Sequence, residues 1–188
     1  MNTPSHYVLN LALLGTTVAP NANVAIALGA IVPDFPIFVF YFVAKVILHL
    51  PERQIWSQAY YQPFWQTGVA LFHSIPLAAI ALCLCLYGGW KPGAIFFGSA
   101  IFHSLLDLPV HNDDAHRHFF PFSNYRFISP FSYWDPNHYG RIVAAIELLL
   151  VLGVTPVVFA LLKTWPSKIL LITINVVYVV GYLRFYLA

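Results

Sequence analysis

From Val69 to Tyr87 the chain carries no aspartate, glutamate, lysine or arginine. A helix needs roughly 20 predominantly apolar residues to cross a bilayer's hydrocarbon core. In that medium the backbone must satisfy its own hydrogen bonds, so an uncharged run of this length reads as a membrane helix. The rest of the chain is of the same kind: 60% of its 188 residues are hydrophobic and 9% charged, with a mean hydropathy of +0.73. Soluble domains carry roughly 25% charged residues. The expected fold is therefore all-α, a multi-pass membrane helical bundle forming one domain over residues 1–188. A net charge of +2 with no basic run gives nucleic acid nothing to bind.

In chain order, residues 4–19 form an apolar segment too short to span alone, with Pro4 suited to a first helical turn. Asn21 to Ala44 is long enough, but Pro33-Asp34-Phe35-Pro36 interrupts it; one broken span and two half-helices both fit. Lys45 to Gln66 reads as an interfacial connection, its Trp56, Tyr60, Tyr61 and Trp65 matching headgroup depth. Gly88 to Gly93 is a tight turn between Val69–Tyr87 and a span at Ala94–Val110, which makes these two antiparallel neighbours. Ile142–Leu162, with a kink expected at Pro156, and Ile169–Leu187 complete about five spans. Cys83 and Cys85 point in different directions on a helix, so they read as small apolar fillers. Met1 to Ser5 lacks the basic residue of a cleavable signal peptide. Lys45, Arg53, Arg117, Arg126 and Arg141 flank the longer loops, which the positive-inside rule places in the cytoplasm.

The loop from His111 to Tyr139 is long for a connection without structure of its own. Its aromatic content argues against disorder. The expectation is a cap folded onto one membrane face, burying Phe119, Phe120, Phe122, Tyr125, Phe127, Phe131, Tyr133, Trp134 and Tyr139.

Candidate ligands gather at that face. Ala70-Leu71-Phe72-His73-Ser74 and Ala100-Ile101-Phe102-His103-Ser104 share the pattern A-x-F-H-S. With His73 near the start of its span and His103 towards the end of the next, an antiparallel pair brings both to the same face. Asp107 follows His103 by four residues, on one side of a helix and about 6 Å along its axis. Intramembrane acids normally face a cavity and mark a site. Asp34, His73 and Asp107 each stand beside a proline (Pro33 and Pro36, Pro76, Pro109). Each proline frees a backbone carbonyl that protein or a wet pocket must receive. The loop adds His111, Asp113, Asp114, His116 and His118; on one short helix His116 and His118 would not both face inward, and Asp113 would cap it. His6 is a further candidate on the N-terminal segment. Glu147 either pairs with Arg141 or reaches the pocket, and His49 and His138 suit the interface. Imidazole with carboxylate suits zinc, manganese or iron, and no thiolates are placed for a closed structural zinc site.

The ordered set of His6, Pro33-Asp34, His73-Ser74, His103-x-x-x-Asp107 and Pro121-Phe122-Ser123 resembles the bacterial inner-membrane metal-dependent hydrolases, a family similar to zinc-dependent phospholipase C and nucleases of the P1 type. The resemblance covers roughly residues 6 to 147, and the order of its short motifs carries it. It departs in two places. Gly68-Val69-Ala70 replaces a His-Arg-Gly, and Pro36 replaces the second acid of Pro-Asp-x-Asp. At least one ligand of the usual set is thereby missing, and the loop histidines are the candidates to stand in.

The expected function is a membrane-embedded hydrolase holding one or two zinc ions (or manganese or iron) through His6, Asp34, His73, His103, Asp107, His111 and His118. Asp114 and His116 are the residues for proton transfer. The substrate would be a phosphoester, plausibly a membrane lipid, and the location the cell's inner membrane. Two other classes compete. One is a divalent-metal or proton transporter, whose few spans a homodimer would remedy; the other is a non-catalytic scaffold with a structural metal. Ligands meeting near one interface favour hydrolysis, and ligands spread across the bilayer favour transport.

Overall fold

A computed structural model describes residues 1–19 and 21–187, and the side chain of Leu187 is outside that description. Among the described residues there is no strand. The helices are α1 (Thr3–Thr17), α2 (Asn23–Ile31), α3 (Phe35–Phe42), a single turn α4 (Glu52–Gln54), α5 (Pro63–Phe72), α6 (Ile75–Tyr87), α7 (Lys91–Asp107), α8 (Gly140–Leu161) and α9 (Trp165–Tyr182). Prolines open α1, α3, α5, α6, α7 and α9. Their missing N–H costs nothing in a first turn, and their fixed φ suits one.

Five segments are long and apolar enough to cross a membrane: Asn23–Ile47, Pro63–Tyr87, Lys91–Val110, Gly140–Leu161 and Trp165–Tyr186. The first settles the alternative left open at Asp34. It is one interrupted span, α2 and α3 joined by a 3-10 turn at Val32–Asp34. The second starts earlier than expected, at Pro63, and puts His73 in mid-segment at the break between α5 and α6. α8 runs on through Pro156. Cys83 and Cys85 are both free; Cys85 is buried, whereas Cys83 lies on the outer face and fills no core.

The short α1 is a buried wedge. Tyr7, Val8 and Leu11 pack with Ile26 of α2, with Val151 and Val158 of α8, and with Leu171 of α9. Between α2 and α7 the backbones almost touch: a Cβ on Gly29 would lie 2.2 Å from the Phe96 carbonyl oxygen. Small residues allow such approaches in membrane bundles. Hydrogen bonds lock the crossing. Ser99 Oγ donates to the Ile26 carbonyl at 2.7 Å, and Asn10 Nδ2 donates to Ser99 Oγ at 2.8 Å. One α7 serine thereby ties α1, α2 and α7 a turn away from His103.

The loop after α7 folds back as a cap, but not by burying its rings. Phe119, Phe122, Tyr125, Phe127, Phe131, Trp134 and Tyr139 are exposed, while His111, Ala115, His116, His118, Ser129 and Ser132 are buried. Backbone bonds fasten it, from Ser129 N to His111 O (3.0 Å), Tyr133 N to Val110 O (2.9 Å) and Ile75 N to His118 O (2.9 Å). The rings therefore form an outer rim, the placement aromatic side chains take where apolar and wet surroundings meet.

Candidate metal centre

The site grows out of backbone breaks. α5 ends at His73, and Ile75 N–H, which has no helical partner there, donates to the His118 carbonyl. Ser74 caps α6 by accepting from Leu77 N at 3.2 Å and donates its hydroxyl to the Phe120 carbonyl. Irregular backbone in a membrane segment is tolerated when protein receives its polar groups. Here the receiver is the capping loop, and the same contact delivers His116 and His118 to the centre.

The imidazoles are oriented by groups behind them. His73 Nδ1 donates to the Val69 carbonyl at 2.9 Å and His103 Nδ1 to the Ala30 carbonyl at 2.8 Å. A carbonyl can only accept, so each Nδ1 carries a proton and each Nε2 is turned inward towards the carboxylates. His111 Nδ1 faces Asp114 Oδ2 at 2.9 Å, the carboxylate–histidine pairing that orients metal-ligating imidazoles.

Asp107 is the hub. Its Oδ1 lies 2.9 Å from His6 Nε2, 3.1 Å from His111 Nε2 and 2.6 Å from the Met1 amine. Its Oδ2 lies 3.1 Å from His103 Nε2 and 3.8 Å from His73 Nε2. Asp34 Oδ1 stands 3.3 Å from His73 Nε2 and 3.6 Å from His103 Nε2, and its Oδ2 accepts from Thr3 Oγ1 at 2.5 Å. The His73 and His103 Nε2 atoms are close to carboxylate oxygens yet make no hydrogen bond. Short nitrogen–oxygen approaches without donor alignment fit lone pairs that share a cation better than they fit ion pairs.

Three groups have ligand atoms mutually within 4.8 Å: His6, His103 and Asp107; Asp34, His73 and His103; and His73, Asp107 and His116, every member buried. Buried polar atoms without partners are costly, and six of the site's imidazole nitrogens are in that state: Nε2 of His73, His103 and His116, both nitrogens of His118, and Nδ1 of His6. Such a donor set could hold a metal ion, and it fits a hard or borderline divalent cation.

The structure brings together the helix-borne candidates His6, Asp34, His73, His103 and Asp107, with His111, His116 and Asp114 beside them. His118 is buried with its ring centroid 6.3 Å from that of His73 and 5.7 Å from that of His116. The helix expected over His116–Phe120 does not form. In extended or turning backbone, residues two apart can face one side, so both histidines point inward and Asp113 caps nothing. Burial holds His116 well below the usual histidine range and brings His118 down to about 3, which keeps both neutral. Glu147 meets neither expectation. Its Oε1 accepts from Ser5 Oγ (2.5 Å), Asn2 N (3.0 Å) and Tyr178 OH (3.1 Å), fastening α1 to α8 and α9. Half-buried His138 pairs with Asp135 at 2.6 Å, away from the centre. Thr3 is the contact that sequence reasoning missed, because nothing local marks a threonine as the partner of an acid 31 residues on.

A cavity of about 430 Å³ opens onto the centre, with Asp34, His111, Asp114 and His116 among its lining residues. Compared with protein-family models, curated proteins and solved structures, the chain matches none.

Proposed function

We propose that the chain is a membrane-embedded, metal-dependent hydrolase acting on phosphoesters, lipid-borne ones included, in a bacterial inner membrane. The observation that carries this reading is the convergence of inward-facing Nε2 atoms of His73 and His103, their other nitrogens pinned to carbonyls, on the carboxylates of Asp34 and Asp107. The motif order that resembles inner-membrane metal-dependent hydrolases supports it.

His6, Asp34, His73, His103 and Asp107 would hold the ion, with His111, His116 and His118 completing the set from the loop. Zinc, manganese and iron all suit it. When bound, such an ion polarises a phosphoryl oxygen and lowers the pKa of water towards neutrality. The chain's own part is orientation and proton handling. Asp107 spans both sides of the centre with its two oxygens. Asp114 steadies His111 through Oδ2, while its Oδ1 has no partner and is placed to take a proton in the cavity. Neutral, buried His116 lines the same cavity and is the second candidate for that role. A transport role needs ligands spaced from one face to the other, and these meet in one cluster.

The test is metal content followed by turnover. Purified protein should contain about one or two zinc or manganese ions per chain, lost in Asp107→Ala and His103→Ala. Full metal in both variants would remove those residues from the site. A phosphoester panel that includes lipids, with Asp107→Asn as the blank, then tests hydrolysis.

A further inference from the structure

Of the acids in the apolar spans, Asp34 and Asp107 join the centre and Glu147 does not. The helix turn that Glu147 grips nevertheless enters it. Asn2 and Ser5 give Glu147 Oε1 three hydrogen bonds, from Asn2 N (3.0 Å), Asn2 Nδ2 (3.1 Å) and Ser5 Oγ (2.5 Å). Thr3 and His6 turn the other way, to Asp34 Oδ2 (2.5 Å) and Asp107 Oδ1 (2.9 Å). Residues three apart share a helix face, so the first turn of α1 carries the two sets of contacts back to back. The grip is a helix cap supplied by another helix. Asn2 is the N-cap of α1, yet its side chain caps nothing within α1. A glutamate three residues on would commonly accept the N-cap N–H; that position is Ser5, and α8 sends Glu147 to take the bond instead. The positive end of the α1 dipole favours a carboxylate there. Apolar packing adds little to this turn. The buried apolar cluster of α1 begins at Tyr7, and a cavity of about 300 Å³ lies along Asn2, Glu147 and Tyr178.

His6 depends on that grip more than its neighbours do. The carbonyls of Val69 and Ala30 and the carboxylate of Asp114 stand behind Nδ1 of His73, His103 and His111, whereas His6 Nδ1 has no partner. The His6 ring stacks on that of His103, with centroids 3.6 Å apart. A stacked ring can still slide in its plane, so the reach of His6 towards Asp107 is set by where the α1 backbone lies. We propose that Glu147 is a positioning residue for the metal centre: through the first turn of α1 it sets His6 against Asp107 and Thr3 against Asp34. The inference rests on the metal-dependent reading for the ion; the positioning itself is a property of the fold.

The experiment uses the full chain in maltoside micelles. With histidine rings carbon-labelled and no metal added, the His6 resonance, assigned by its loss in His6→Ala, should shift in Glu147→Leu while those of His49 and His138 stay. Cobalt is then titrated in competition with a chelator. Glu147→Leu should weaken it roughly tenfold, the lower end for a group that acts through a ligand, and move its visible spectrum towards that of His6→Ala. Once His6 is alanine the same substitution should cost much less, because the two residues act as a unit. Glu147→Gln should restore the parent's affinity and spectrum, since Oε2 makes no bond and the amide oxygen can accept the rest. Where Glu147→Leu does not fold, Ser5→Ala removes one bond, keeps the carboxylate and carries the same readouts. A lower melting temperature with an unmoved His6 resonance and the parent's cobalt spectrum overturns the proposal, as does an equal loss of affinity with and without His6. A parent that takes up no metal sinks the metal-centre reading, while the His6 resonance still decides this one.

Discussion

Oδ1 of Asp34 stands 3.3 Å from Nε2 of His73, although each residue belongs to a different interrupted span. Both sit where prolines break the helical ladder: Asp34 in the 3-10 turn between α2 and α3, His73 at the end of α5. A break lets a side chain leave the lipid-facing surface and turn into the bundle, and two breaks that face each other make a hollow. Asp34→Asn keeps the volume and the contact with Thr3 but removes the charge. Affinity for the ion should fall at least about tenfold, measured by competition with a chromophoric chelator. Unchanged affinity would make Asp34 a structural partner of Thr3 alone.

Asp114 acts on the centre through His111. Asp114→Asn exchanges the carboxylate behind His111 Nδ1 for an amide, and loss of such a supporting partner typically costs 10–100-fold in metal affinity or activity. The ion should still bind at saturation, with the deficit visible in chelator competition. Retention of full affinity together with lost turnover would assign Asp114 to proton transfer only.

At Gly29 the crossing of α2 and α7 leaves no room for a side chain. A Cβ there would lie 2.2 Å from the Phe96 carbonyl oxygen and 2.7 Å from Ser99 Cβ. The obstacle is backbone, which does not swing aside. Gly29→Val should therefore separate α2 from α7 and draw the Ala30 carbonyl away from His103 Nδ1. The expected cost is roughly 3 kcal/mol or more, read as a fall in melting temperature by scanning fluorimetry in detergent, with metal content falling in step. A variant that melts like the parent would show that the crossing has slack.

Asn10 and Ser99 should behave as one unit. Ser99→Ala removes the acceptor hydroxyl from Asn10 and the donor from the Ile26 carbonyl. Each single alanine variant should cost about 1–3 kcal/mol, and the double variant less than their sum. Simple additivity in thermal unfolding would show that the two bonds are independent.

Hydropathy alone made the bundle and its five spans legible, because only helices can hide their backbone polarity in lipid. It misplaced the start of the span carrying His73, since Trp65 and Gln66 after Pro63 look interfacial while still extending α5. That the helix-borne acids and histidines would gather was readable too: such residues beside prolines in apolar runs have few inexpensive reasons to be there. The loop was harder. Its rings suggested burial, yet its histidines and serines are the residues that went inside, because the breaks in the helices beneath offered polar groups to satisfy and no apolar floor.

The sequence by itself determined the helical class, the apolar spans and the His103–Asp107 spacing, all of which depend on residues within a few turns of each other. Only the tertiary structure decided that His6 meets Asp107, that Thr3 holds Asp34, and that Glu147 fastens α1 rather than joining the centre. Those are contacts over a hundred residues or between separate helices. They follow from how closely Gly29 lets α2 approach α7 and how α1 wedges between its neighbours, and packing of that kind has no local period to read.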